Sequence, residues 1–156
     1  MNNPLVSIIM GSESDMPIMQ NAVKVCEEFG VECEVKVVSA HRSPELAETH
    51  AREAAGRGIK VIIAGAGGAA HLAGVTAAHT TLPVIGVPIK TPAFDGIDSL
   101  LSTMQMPPGV PVATVAIDGA RNAGILAIQI LSTANPQLVR KLVAFKKSLY
   151  AKYLKT

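Results

Sequence analysis

The side chains best suited to chemistry are concentrated in Ser39-Ala40-His41-Arg42-Ser43. An imidazole, with an ordinary pKa of ~6.5, can give and take a proton near neutrality. The guanidinium beside it is a permanent cation whose fork of N–H groups suits phosphate or carboxylate. Before this group runs the apolar stretch Val35 to Val38. After it, Ser43-Pro44-Glu45 reads as a helix N-cap, a proline at the first helical position and an acid in the first turn. The proton carrier and the cation therefore fall at the carboxyl end of a strand, the edge at which open α/β sheets bind ligands.

Two further polar corners have the same setting. Leu5 to Met10 is a buried-strand pattern that ends in Gly11-Ser12-Glu13-Ser14-Asp15, with a helix expected to about Gly30 and Ser14 or Asp15 as its cap. Free N–H groups and the dipole at that helix start favour phosphate, and Asp15 is suited to accept hydrogen bonds from sugar hydroxyls. Lys60 to Ala64 is a third strand, opening into Gly65-Ala66-Gly67-Gly68-Ala69-Ala70-His71-Leu72. Its glycines permit positive φ and close approach of the backbone to a ligand, and its N–H groups suit a carboxylate or a developing oxyanion. Each corner also has a plainer reading, as simple caps or as a tight strand-to-helix turn. His50, among Glu45, Glu48, Arg52 and Glu53, reads as a surface histidine on a solvated helix face.

The elements that must position these corners alternate along the chain. Val31 to Val38 is the second strand, Pro83 to Ile89 the fourth and Val112 to Ile117 the fifth. Helices are expected from Pro44 to about Gly56, from Ile97 to Met104, from Asp118-Gly119 to about Ala134, and over 135–155 behind the Asn135-Pro136 cap. Five βα units predict a three-layer α/β/α sandwich, a single domain over 1–156 with a C-terminal helix. A flavodoxin-like strand order makes the three polar corners neighbours around one crevice. The helix with Ala120, Ala123, Ile125, Leu126, Ala127, Ile128, Ile130 and Leu131 is apolar nearly all round, which argues for cover by other subunits. The last helix, with Leu138, Leu142, Phe145 and Leu149 at helical spacing, can lie on its own chain or reach a neighbour. The proline-dense loop Gln105 to Pro111 is a rigid wall or a connector.

Composition removes several classes. With 156 residues, a net charge of +2 and 3% aromatics, the chain has no nucleic-acid footprint. No apolar run approaches the ~18 residues of a membrane span, and Met1-Asn2-Asn3-Pro4 starts no signal peptide, so a cytoplasmic protein is expected. Mean hydropathy is +0.35. Cys26 and Cys33 match neither a metal knuckle nor a CxxC motif and read as reduced structural thiols. Gly65-x-Gly67-x-x-Ala70 fits a variant dinucleotide fingerprint, but it sits in the third βα unit and the following strand ends at Lys90, not at an acid. A receiver-type signalling domain needs acids where Gly11-Ser12 and Gly65-Ala66 stand. There is no G-x-S-x-G elbow and no HExxH spacing, which leaves proton transfer by His41 beside an anion held by Arg42.

Gly11-Ser12-x-Ser14-Asp15, Ser39-Ala40-His41-Arg42, Gly65 to Leu72, and Gln105-Met106-Pro107 with Gly109 to Thr114 together closely resemble the 5-(carboxyamino)imidazole ribonucleotide mutases of bacterial purine biosynthesis, over nearly the whole chain. The resemblance implies an isomerase. The substrate's exocyclic nitrogen loses its carboxylate as trapped CO2, and the ring carbon of aminoimidazole ribonucleotide recaptures it without ATP, metal or organic cofactor. It implies His41 as the acid and base. It also implies Ser12, Asp15 and Arg42, with Ser14 and Ser39 beside them, as the ribose phosphate site. Gly67, Gly68, Ala69, His71 and Leu72 would enclose the carboxylate and CO2, with His71 binding rather than catalysing. The partners implied are a small nucleotide and further copies of the chain, as an octamer with sites at subunit junctions. A related class carboxylates aminoimidazole ribonucleotide directly. It carries lysine after the histidine and a different glycine loop, so Arg42 and Gly67 to His71 favour the mutase. Ala73 and Val75 depart from the proline and methionine common in mutases, at the entry to the third helix. A binding module of the same fold, with no turnover, is the third reading.

Overall fold

The computed structural model describes residues 3–154. Met1, Asn2 and Lys155 lie outside them, and with them part of the N-terminal reading and the last residue of the expected 135–155 helix. The elements are β1 (Val6–Met10), a 3-10 turn (Glu13–Asp15), α1 (Met16–Phe29), β2 (Cys33–Val37), α2 (Pro44–Ala54), β3 (Val61–Gly67), α3 (Leu72–Ala78), β4 (Val84–Ile89), α4 (Ile97–Met104), β5 (Ala113–Thr114), α5 (Ala120–Ser132) and α6 (Pro136–Tyr153). The strands form one parallel sheet in the order β2-β1-β3-β4-β5, the flavodoxin-like order, with Val6 opposite both Cys33 and Val61.

Strand alternation sorts the core into two layers. Val6, Ile8 and Met10 with Ile63, Ile85 and Val87 face α1 and α5, where Met19, Ala22, Val25, Ala123, Ala127 and Ile128 are buried. Ile9, Ile62, Ala64 and Val84 turn to the other side, against Ala47 and Ala54 of α2 and Leu72 and Ala73 of α3. Small residues let α5 lie close against α1: a Cβ on Gly124 of α5 would come within 2.8 Å of Val25 Cβ.

Four expectations need correction. β2 is shorter than Val31 to Val38, and as the edge strand of the sheet it leaves Val35 and Val37 exposed. β5 keeps only two residues. Pro88 in β4 has no N–H to extend that ladder, and its carbonyl instead accepts from Asp118 N–H at 2.8 Å. The apolar helix α5 is covered largely by its own chain, packed between α1 and α6 with Ile125, Leu126, Ile130 and Leu131 half-buried. The first half of α6 lies on this core through Leu138, Leu142 and Phe145, and Phe145 meets Phe29 edge-on at 5.8 Å.

His50 is the fourth. It is 4% exposed, because Ala47, His50, Ala51 and Ala54 share the inward face of α2. Its Nε2 lies 2.9 Å from the hydroxyl of buried Ser7, which donates to Glu34 Oε1 at 2.9 Å. That donation leaves the Ser7 oxygen to accept, so His50 carries its proton on Nε2 and its Nδ1 receives Arg57 Nη2 at 3.3 Å. Burial, reinforced by the Arg57 charge, holds the imidazole pKa below its ordinary value.

Candidate active site

The three polar corners meet because β1 is hydrogen-bonded on one side to β2 and on the other to β3. Their carboxyl ends enclose a cleft of about 380 Å³ lined by Gly11, Ser12, Ser14, Asp15, Ser39, Ala40, His41, Arg42, Ala66, Gly67, Ala69, His71, Leu72 and Thr91.

In the first corner Ser12 caps the 3-10 turn, and Asp15, one of the two caps the sequence suggested, holds the N-cap position of α1. Ser12 Oγ accepts from Ser14 N–H at 3.4 Å and from the Ser14 hydroxyl at 3.0 Å. The Asp15 side chain makes no cap bond to the following helix and instead reaches back to accept from the backbone N–H of Ser12. Asp15 is 9% exposed, and burial raises its carboxyl pKa against the opposing pull of the Ser12 N–H and the Arg42 cation. A mere cap would sit in water. This one is a desolvated acid lining a cleft.

In the second corner Ser43 holds the N-cap position of α2 without capping it. Its hydroxyl donates to Ser39 C=O at 3.0 Å and accepts from Ser39 N–H at 3.2 Å, closing the turn on itself. Ser39 Oγ in turn accepts from Arg42 N–H and Nε, each at 3.2 Å. Arg42 Nη2 donates to Gly11 C=O at 2.8 Å, so the guanidinium ties the second corner to the first. The side chain is exposed at the cleft, with its cation 31 residues from the carbonyl that orients it.

The third corner supplies a second imidazole. His41 Nε2 and His71 Nδ1 are 2.7 Å apart and the rings stand at 87°. A single proton occupies the gap between the facing nitrogens, donated by one ring and accepted by the other. The glycine loop is held from outside the cleft. Ser102 of α4 accepts from Ala70 N–H at 3.0 Å; its one hydroxyl proton goes to Asp98 C=O at 2.7 Å, with Gly68 C=O at the longer distance of 3.3 Å. Gly68 is left-handed, with φ of 63°, and a Cβ on Gly67 would stand 2.7 Å from Thr91 Cγ2.

Of the residues expected at the site, Ser12, Ser14, Asp15, Ser39, His41, Arg42, Gly67, Ala69, His71 and Leu72 line the cleft. Gly68 does not; it shapes the loop behind it. Sequence reasoning missed Thr91 and Ser102. Thr91 follows the carboxyl end of β4, so the strand-edge rule that picked out the other corners pointed to it as well. Among the described residues, no group of three or more His, Cys, Asp or Glu is arranged to hold a metal ion. Nor is any helix long and apolar enough to cross a membrane.

Comparisons with known proteins show the family. The N5-carboxyaminoimidazole ribonucleotide mutase of Pyrococcus abyssi is 60% identical over 146 residues, 94% of this chain and 84% of its own length. The phosphoribosylaminoimidazole carboxylase of Schizosaccharomyces pombe is 56% identical over 147 residues, which make up 27% of that longer protein. The crystal structure of Treponema denticola PurE superposes with a TM-score of 0.89 at 27% identity, covering 97% of this chain and 95% of that one. The family model described as AIR carboxylase matches residues 5–152, so the chain belongs to the AIR carboxylase family.

Proposed function

We propose that the protein is an N5-carboxyaminoimidazole ribonucleotide mutase of purine biosynthesis, a single domain over 1–156 that moves a carboxylate from the exocyclic nitrogen to the ring carbon. The observation that carries this reading is the placing of one exposed imidazole, His41, between an anion site and a glycine-rich loop. In the first step His41 protonates the exocyclic nitrogen as the N–C bond to the carboxylate breaks and CO2 leaves. In the second, the ring carbon attacks CO2 and His41 removes the proton from that carbon. The proton given is the proton recovered, so a single acid/base group closes the cycle.

Ser12, Ser14 and Arg42 bind the phosphate and Asp15 a ribose hydroxyl, with Ser39 fixing Arg42. The segment Gly67, Gly68, Ala69, Ala70, His71 and Leu72 holds the carboxylate and then CO2. His71 orients His41 through their shared hydrogen bond, a binding rather than a catalytic role. The reaction as written requires neither metal nor cofactor. Ala73, buried in α3, and Val75 adjust the packing behind the glycine loop and leave His41 unaffected.

The working form is a homo-oligomer, an octamer by family resemblance, in the cytoplasm. Support comes from Phe94, Ile97, Leu101 and Met104, an apolar stripe along and before α4 that is about half exposed or more. Leu101 also lines a hollow with His71, which puts the stripe beside the site, as subunit-junction sites require.

The test is incubation with N5-carboxyaminoimidazole ribonucleotide, with chelator and without ATP, alongside His41→Asn. Isomer formation that His41→Asn slows by about 10²- to 10⁴-fold is expected. Product formed only from aminoimidazole ribonucleotide and added CO2 would establish the direct carboxylase, an activity the name of the Schizosaccharomyces relative keeps in view. Binding without turnover would establish the binding module.

A further inference from the structure

The cleft is lined by four hydroxyls, and three of them are engaged with their own chain. Ser12 accepts from the N–H and the hydroxyl of Ser14, and Ser39 accepts from the N–H and the guanidinium of Arg42. The fourth, on half-buried Thr91, has no hydrogen-bond partner among the described residues. Its backbone is nonetheless fixed. The carbonyl of Ile89 accepts from the buried Ser99 hydroxyl at 2.8 Å, and the N–H of Lys90 donates to Asp118 Oδ1 at 2.9 Å. Lys90 Nζ then meets Asp95 Oδ1 at 2.9 Å across the turn that follows Thr91.

The side chain is oriented as well as anchored. A β-branched residue has few χ1 choices, and the Thr91 methyl fills the space that a Cβ on Gly67 would need, at 2.7 Å from it. With the methyl seated on the glycine loop, the hydroxyl takes a set direction from the same carbon. Strand order fixes the end of the cleft to which it belongs. Arg42 follows β2 and Ser12 follows β1, whereas Thr91 follows β4, beyond β3 and its glycine loop. A hydroxyl held in place at the end opposite the guanidinium, with nothing of its own chain to bind, suits a polar atom of a ligand whose phosphate lies at Arg42.

We propose that the Thr91 hydroxyl binds the carboxylate in transit, donating a hydrogen bond to one of its oxygens and retaining the CO2 formed from it until the ring carbon attacks. The assignment rests on the mutase reading above and deepens it, by naming a side chain that keeps CO2 in the cleft. No bond to Thr91 forms or breaks. The electron pair of the broken N–C bond stays with nitrogen, which takes the proton of His41, so the hydroxyl keeps its own proton throughout. Carbon dioxide carries no charge for Arg42 to hold. A donor already in position costs no reorganisation at the moment the carboxylate becomes CO2.

The test follows N5-carboxyaminoimidazole ribonucleotide isotopically labelled in its carboxylate carbon, in buffer holding unlabelled CO2, with loss in an enzyme-free control subtracted. The unmodified full-length chain should pass most of the label into the isomer. Thr91→Val keeps the methyl and drops the hydroxyl. It should melt with the unmodified chain, lower kcat/KM by about 10- to 150-fold, and lose label from the isomer as aminoimidazole ribonucleotide escapes. Thr91→Ser should restore label retention, and Thr91→Ala set against Thr91→Ser repeats the comparison without the methyl, should valine disturb the loop. Equal retention in Thr91→Val and the unmodified chain overturns the inference, as does equal loss in Thr91→Ser and Thr91→Ala. Either result leaves the mutase reading standing, because the unmodified chain still makes the isomer; an unmodified chain that makes none overturns both.

Discussion

Replacing Asp15 by Asn should strengthen the empty protein and weaken its hold on substrate. The carboxylate is buried against the cleft wall with the Ser12 N–H on it and Arg42 nearby, and its raised pKa states that folding disfavours its charged form. Asn keeps an oxygen for the Ser12 N–H and sheds the charge, so the melting temperature at neutral pH should rise. The same change turns an NH2 donor toward the ribose where a charged acceptor stood. A hydrogen bond to a charged group contributes about 1.5–3 kcal/mol, so substrate affinity should fall by about 10- to 150-fold. The pH dependence follows from the sign of the shift. Because the folded-state pKa lies above the unfolded one, the penalty is complete above the raised value and vanishes below the ordinary carboxylate range. The melting-temperature gap between Asp15→Asn and the unmodified chain should therefore be widest at neutral pH and close on acidification. Differential scanning fluorimetry across pH and calorimetric titration with a ribonucleotide measure both halves. A variant that melts lower at neutral pH, or binds substrate unchanged, would refute the account of Asp15 as a desolvated ligand group.

Three more outcomes are expected. His50 has a depressed pKa, so its stability contribution is whole above about 6.5 and declines as pH falls and the unfolded state takes up the proton first; His50→Gln should flatten that decline in urea titrations between about pH 7 and 5. Ser102→Ala removes the acceptor of the Ala70 N–H, a bond worth about 0.5–1.5 kcal/mol of stability, and should lower the melting temperature by about 1–6 °C together with a roughly tenfold fall in kcat/KM. Leu101→Asp puts a charge into the apolar stripe of α4 and should shift light-scattering mass toward smaller species, with activity falling in step if the sites lie at subunit junctions.

The three corners were legible because each is a break in an apolar run, and a strand end shows wherever Val and Ile give way to Ser, Gly or His. Their convergence was legible through strand order, a consequence of βα alternation. What stayed hidden depended on which of several equivalent side chains wins a contact. Ser12, Ser14 and Asp15 can each cap a helix, and only the fold reveals that Ser12 takes the N–H while Asp15 reaches back. The burial of His50 was readable in principle, since Ala47, Ala51 and Ala54 mark the inner face of α2, but its charged neighbours masked the period. β5 shrank because of Pro88, a residue on its neighbour. Ser102 grips a loop more than thirty residues away, and no local pattern announces such a partner.

The seat of β1 between β2 and β3 has a consequence for how the protein comes into being. Val6 must find Val61 across more than fifty residues, and both flanking ladders are parallel, so neither can zip from a hairpin turn. The catalytic corners therefore gain their relative positions only after the slowest, most non-local pairing is complete, and Ser102 clamps the glycine loop later still in chain order. A nascent or truncated chain ending before α4 would hold every cleft side chain and still lack a finished cleft. Recovery of activity on refolding should accordingly trail the recovery of helix signal.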